Sequence, residues 1–233
     1  GLAAARGSNA VSQSAQSFKD TLGLGLRLAI TLIMPATIGL FVLSVPIVAL
    51  LFQRGAFGPA DTEITATALR LYLIGLPFAA VDLLLVYAFY ARQDTLTPAI
   101  IGLISFGVYM VAAIALLPSL SLFSLMVADS LKHITHALIS AVVLRRRMNG
   151  YGQQRIGLTL FKTGLAVAAM GAVALLLEPL LANAIGIDTF LHRLAVVGLI
   201  SSVSVIVYFG AAALLRIDEL HWMAGMVRRR LFR

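Results

Sequence analysis

Six stretches of this sequence stay apolar for roughly 20 residues or more, and nothing else in it restricts the fold as tightly. An α-helix rising 1.5 Å per residue crosses a hydrocarbon core about 30 Å thick in about 20 residues. Inside that core each backbone N–H and C=O must be satisfied by the segment itself, which favours helices. Composition agrees: 60% of the residues are apolar and 12% charged, against about 45–50% and about 25% in soluble domains. A soluble fold of this length needs far more polar surface. The expected fold class is all-α, a polytopic transmembrane helix bundle of six spans.

The first span reads from about Leu24 to Phe52 with Pro35 and Pro46 inside it, and the second from Ile64 to Ala91, interrupted by Gly75-Leu76-Pro77. Pro35, Pro46, Gly75 and Pro77 are hinge candidates, because each proline removes a backbone bond and sharp bends gather at such residues. Acidic Asp61 and Glu63 at the start of the second suit the positive end of a helix dipole. The third opens at Thr97-Pro98, a hydroxyl cap followed by proline in the first turn, and ends near Leu117-Pro118. The fourth runs from about Leu120 to Leu144, the fifth from Leu158 to Leu177 and the sixth from Leu194 to Leu215. Residues 1–23 read as a polar cytoplasmic loop exposed by truncation of a longer chain. Residues 24–147 form a four-span group, 148–157 a cytoplasmic linker, and 158–233 a terminal pair with a basic cytoplasmic tail.

Orientation follows from the basic residues, which gather on the cytoplasmic side of membrane proteins. With the N-terminus inside, that side holds Arg6, Lys19, Arg27, Arg92, Arg145, Arg146, Arg147, Arg155, Lys162, Arg216, Arg228, Arg229, Arg230 and Arg233. The opposite side holds Arg54 and Arg193. Both termini are expected in the cytoplasm. The formal charge of +8 is therefore assigned to topology and to anionic lipids at the basic helix ends, not to nucleic acid. The sequence contains no cysteine, so it has neither a disulfide framework nor a thiolate metal site.

A charge near the bilayer centre costs at least about 2.5–3.5 kcal/mol on insertion scales, so each one asks for a partner or a wet cavity. Asp82 lies midway along the second span with no basic residue one turn away, and its partner must come from another helix or from water. It either fixes packing or contacts a substrate or coupling cation. In the fourth span Asp129, Lys132, His133 and His136 follow the spacing i, i+3, i+4, i+7, one helical stripe. That stripe is compatible with a self-satisfied packing network, with chelation by the two histidines, or with the wall of a hydrophilic transport cavity; the last is the preferred reading, with no metal assigned. Arg70 either snorkels to the interface or joins the cavity. Arg54 is a loop candidate for an anionic headgroup.

Chemistry on covalent bonds finds little support. The sequence has no Gly-rich phosphate loop, HExxH, GxSxG or clustered carboxylate pair. The expectation is a non-enzyme without cofactors.

Two motifs carry a family likeness. Pro35 with the run Pro46-Ile47-Val48-Ala49-Leu50-Leu51-Phe52-Gln53-Arg54-Gly55-Ala56-Phe57 resembles a signature of the MurJ/MviN lipid II flippases. Gly75-Leu76-Pro77 leading to Ala88-Phe89-Tyr90-Ala91-Arg92-Gln93-Asp94-Thr95-Leu96-Thr97-Pro98 is similar to a second. The resemblance covers nearly the whole chain. It implies the C-terminal part of a fourteen-helix fold: four spans completing the second of two lobes around a central cavity, and a terminal pair bordering a groove for a polyprenyl tail. The implied partners are an undecaprenyl-pyrophosphate-linked cell-wall precursor and a missing N-terminal half of the same protein. The implied setting is the bacterial cytoplasmic (inner) membrane, and the implied activity is inner-to-outer leaflet transfer of lipid II by alternating access. The arginines associated with the family's headgroup site belong upstream of Gly1.

Departures from the family pattern bear on the cavity. Val111-Ala112-Ala113-Ile114-Ala115-Leu116 offers no side-chain oxygen where some members carry a sodium site. Leu83, beside Asp82, stands where a basic residue is common, and His136 where an asparagine is common. Export of another lipid-linked oligosaccharide or of a drug, a membrane-embedded transferase and a non-transport membrane scaffold are the rival readings.

Overall fold

The computed structural model describes residues 2–148, 155–187, 189–217 and 219. Its elements are α1 (Leu2–Val42), α2 (Ser44–Phe52), α3 (Pro59–Leu73), α4 (Leu76–Ala91), α5 (Leu96–Leu120), α6 (Phe123–Arg147), α7 (Ile156–Ile185) and α8 (Phe190–Leu214). Among the described residues, six helical segments are long and apolar enough to cross a membrane, with α3 and α4 together forming one of them. Most of the expected linker and the basic tail from 228 to 233 lie outside the described residues.

Several expectations change. Residues 2–23, expected as a loop, are helical, because α1 is continuous from Leu2. Alanine, glutamine and lysine are good helix formers, and no proline precedes Pro35. The first apolar segment is two helices, divided at Leu43 three residues before Pro46, which has no N–H to give back to Val42. The N-cap position of α5 is Thr95 rather than Thr97, and the first turn is held by Asp94, whose carboxylate accepts the Thr97 N–H at 3.0 Å. At α3, Asp61 accepts the N–H of Gly58 at 2.8 Å, as acidic side chains do in a helix's first turn. α7 continues through Pro179 to Ile185, two turns past the expected end.

In space the long helices neighbour one another in the order α5, α6, α4, α1, α7, α8, with α3 laid against α6 and α2. The α1–α4–α6 seam is filled by Leu22, Leu26, Leu85, Phe89 and Leu144, while small residues recur along α6, α7 and α8, as is common where lipid supplies no hydrophobic drive between helices. Ala128, Ala137 and Ser140 of α6 are buried, as are Ala166 and Ala174 of α7 and Ala212 of α8. A Cβ on Gly171 would lie 3.1 Å from Ile38, which shows how closely α7 approaches α1. Large apolar side chains point outward instead, among them Leu103, Val111, Ile206 and Leu214, the last 86% exposed. This is the surface of a multi-pass membrane protein, apolar where it meets acyl chains.

Two breaks are repaired by side chains from other helices. Pro35 leaves the Thr31 carbonyl without its i+4 donor. The Tyr208 hydroxyl of α8 donates to that carbonyl at 2.6 Å, with both residues buried. Between α3 and α4, Ser130 of α6 accepts from Gly75 N–H at 3.0 Å and donates to the Leu71 carbonyl at 2.7 Å. The approach of Ser130 to Gly75 requires glycine, since a Cβ on Gly75 would stand 2.7 Å from the Ser130 Cα.

Candidate functional site

The stripe predicted on the fourth span lies on α6 and faces the helices packed around it. Asp129 pairs with the Lys132 ammonium, one turn on, and stands 3.5 Å from His133 Nε2. Lys132 also sits 5.8 Å from the ring centre of Tyr109 on α5, within the range of a cation–π contact. Tyr72 of α3 faces Asp129 from the other side.

One turn deeper the partner of Asp82 appears. Its carboxylate lies 2.6 Å from His136 Nδ1, joining α4 to α6, and both side chains are 13% exposed. A carboxylate at that distance places the proton on Nδ1. The Ser140 hydroxyl is 3.3 Å from the same nitrogen. The other ring nitrogen, Nε2, looks toward α5 at Gly102, where an added Cβ would lie 3.7 Å away. His136 is near the midpoint of α6, so this pair sits at mid-membrane depth. The stripe is only partly sealed by its neighbours. Lys132 and His133 keep 31% and 30% of their side-chain surface exposed, while Asp129 keeps 13%.

Asp82, Asp129, Lys132, His133 and His136 therefore converge, and Tyr72, Tyr109 and Ser140 join them. Ser140 continues the stripe at i+4 from His136, a spacing visible in the sequence. The tyrosines come from other helices, and helical periodicity within α6 carries no trace of them. Arg70 stands apart from the cluster: its Nε donates to the Phe41 carbonyl at 3.4 Å, beside the α1–α2 break, and Glu63 is 3.9 Å away. Arg54 is exposed and donates to the Leu51 carbonyl at 2.9 Å, closing the end of the preceding helix α2. Of the hinge candidates, Pro46 and the Gly75–Pro77 pair sit at helix breaks, whereas Pro35 lies within unbroken α1.

Two open cavities lie on the other flank. An apolar groove of about 350 Å³ runs between α1, α2, α7 and α8, lined by Pro35, Gly39, Leu43, Ile47, Met170 and Tyr208 among others. A smaller one of about 170 Å³, at the ends of α2, α7 and α8, holds Gln53, Glu178 and Arg193. Arg193 donates to the carbonyls of Ile187, Ala49 and Gln53 at 2.7, 3.2 and 3.4 Å, tying α8 to the end of α2. At the opposite end Arg27 pairs with buried Glu219 at 3.1 Å, and Arg147 of α6 pairs with Asp94 in the α4–α5 turn.

The family model described as lipid II flippase MurJ matches residues 6–209. A probable lipid II flippase MurJ of Thermotoga maritima is 31% identical over 210 residues, covering 90% of this chain and 41% of the relative. One from Haemophilus influenzae is 30% identical over 210 residues with the same coverage, and one from Rickettsia prowazekii 28% identical over 215. A solved lipid II flippase MurJ in an inward closed conformation superposes with a TM-score of 0.64 at 21% identity, covering 90% of this chain and 41% of that one; the likeness is one of fold. The chain thus spans about two fifths of the length of these relatives.

Proposed function

This chain belongs to the lipid II flippase MurJ family, and from that premise we propose that it forms part of a longer transporter carrying lipid-linked peptidoglycan precursor across the bacterial cytoplasmic membrane. Transfer proceeds from inner to outer leaflet by alternating access, with no covalent chemistry on the substrate. The observation that carries the reading is the cluster of Asp82, Asp129, Lys132, His133 and His136 within the spans, between α3, α4, α5 and α6. Burying a bare pyrophosphate-sugar headgroup in hydrocarbon costs many kcal/mol, and a polar wall lowers that barrier while the isoprenoid stays in lipid. Lys132, partly exposed and paired with Asp129, is the cationic member of this wall.

The apolar groove between α1, α2, α7 and α8 suits the polyprenyl tail, since its lining is almost wholly hydrocarbon. The breaks at Leu43 and Gly75 serve as bending points during rocking. The distribution of basic residues puts both ends of this chain in the cytoplasm, where the Arg147–Asp94 pair and the basic helix ends meet anionic lipid. Four spans then complete one lobe, and α7 with α8 form the terminal pair.

The test uses the complete protein containing this chain in a strain depleted of its own flippase. Asp82→Ala and Lys132→Ala are expected to impair growth and lipid II translocation at normal membrane abundance. Full complementation by both variants would refute the reading.

A further inference from the structure

The family reading leaves open what drives the cycle, and the charge balance of the α4–α6 cluster bears on it. Asp82 and Asp129 bring two negative charges, and Lys132 brings one positive. With both imidazoles neutral the cluster carries one net negative charge at mid-membrane. One bound proton brings it to zero. A net charge in a low-dielectric interior is costly, so a sealed α4–α6 seam favours the protonated cluster and a hydrated one tolerates the proton's loss.

Geometry selects the acceptor. His133 has only a shared carboxylate: Asp129 is already engaged by Lys132, whose ammonium next door repels a second cation. His136 has Asp82 to itself at 2.6 Å. Because Asp82 holds the proton on Nδ1, the position left for a second proton is Nε2, which lies toward Gly102 of α5, a residue with no side chain of its own to fill that space. The other groups facing the cluster are Tyr72 on α3 and Tyr109 on α5, with Ser140 on α6. α1 covers the lower part of α4 with Leu22 and Leu26, and its Arg27 is turned to Glu219.

We propose that the Asp82–His136 pair is a binding site for one coupling proton, which adds to His136 Nε2 and locks α4 to α6, then leaves when the seam opens to water. The step is a proton transfer only: imidazole becomes imidazolium, and no covalent bond of the lipid changes. The coupling role rests on the transport reading above; the proton site itself does not.

Two measurements separate these layers. In the first, the complete protein is reconstituted in proteoliposomes, and translocation of a fluorescent lipid II is followed at pH 6 and pH 8. The wild-type rate is expected to differ about 5-fold between the two. His136→Gln and Asp82→Asn are expected to reduce that ratio below about 2-fold, and His133→Gln to keep it. Loss of the ratio in His133→Gln alone, or its survival in His136→Gln, overturns the assignment. In the second, ring ¹⁵N shifts of the histidine-labelled complete protein in lipid bilayers are recorded from pH 5 to 9. His136 is expected to keep its Nδ1 proton throughout and gain one on Nε2 as pH falls, and Asp82→Asn to alter that titration. A His136 ring that never changes state overturns the proton site even if lipid moves. A protein that moves no lipid II while His136 titrates as described defeats the transport reading and leaves the site standing.

Discussion

Substituting Gly75 by alanine isolates one steric contact between the α3–α4 elbow and α6. Gly75 has φ −79° and ψ −22°, a conformation open to any residue, so its role is not torsional freedom. Its role is proximity, for an added Cβ would lie 2.7 Å from Ser130 Cα and 3.0 Å from its Oγ. Carbon atoms pack at about 3.5–4.0 Å, so the elbow must retreat by about 1 Å. A backbone atom cannot swing aside as a side-chain tip does. The retreat stretches both bonds of Ser130, to Gly75 N–H at 3.0 Å and to the Leu71 carbonyl at 2.7 Å. Hydrogen bonds inside membrane proteins average about 0.6 kcal/mol, and overpacking costs about 1–3 kcal/mol, which together give about 2–4 kcal/mol. The higher helix propensity of alanine offsets at most about 1 kcal/mol. The net loss expected is therefore about 1–3 kcal/mol. Ser130→Ala, which removes the bonds but keeps the spacing, should lose only about 1 kcal/mol. Reversible unfolding in mixed micelles measures both. Equal or greater stability of Gly75→Ala relative to wild type would refute the argument.

Other substitutions test other joints of the bundle. Tyr208→Phe strands the Thr31 carbonyl and should cost about 1–3 kcal/mol of unfolding free energy. In a Pro35→Ala background that cost should fall below about 0.5 kcal/mol, because the restored N–H at position 35 replaces the lost donor. Arg193→Ala should cost about 1–3 kcal/mol and speed hydrogen exchange at the end of α2; Arg193→Lys should not rescue it, since one ammonium cannot reproduce the guanidinium fork across three carbonyls. Asp94 lies outside the spans, where hydrogen bonds from Thr97, helped by Arg147, hold its carboxyl below the ordinary value of 3.8. A depressed carboxylate stabilises the fold above that value and loses its contribution as pH falls through the depressed range. Asp94→Asn should remove that acid-side loss from a plot of melting temperature against pH, and an unchanged plot would show that the carboxylate contributes nothing.

What the sequence determined by itself is whatever local periodicity and chemistry encode. Apolar runs long enough for a bilayer gave six spans, because a helix needs no partner to satisfy its own backbone. The i, i+3, i+4, i+7 spacing put Asp129, Lys132, His133 and His136 on one side of α6, since helical geometry alone fixes that. Composition likewise excluded a soluble fold. Helix ends were less legible. The continuation of α1 back to Leu2, of α7 past Pro179, and the break at Leu43 depend on where competing backbone donors are found, and a proline announces a missing bond without saying whether the helix will stop.

Tertiary structure alone decided who answers whom. Asp82 had no partner within reach on its own helix, and only the packing of α4 on α6 brought it to His136. The same holds for Tyr208 and the carbonyl that Pro35 frees, and for Ser130 and the gap at Gly75. Arg70 was directed away from the stripe by its helix's packing against α1 and α2, a direction no spacing rule contains. Contacts between residues 54 to 177 positions apart depend on how helices are arranged in the bundle, and a helix's own sequence records which faces are sticky but not which neighbour will meet them.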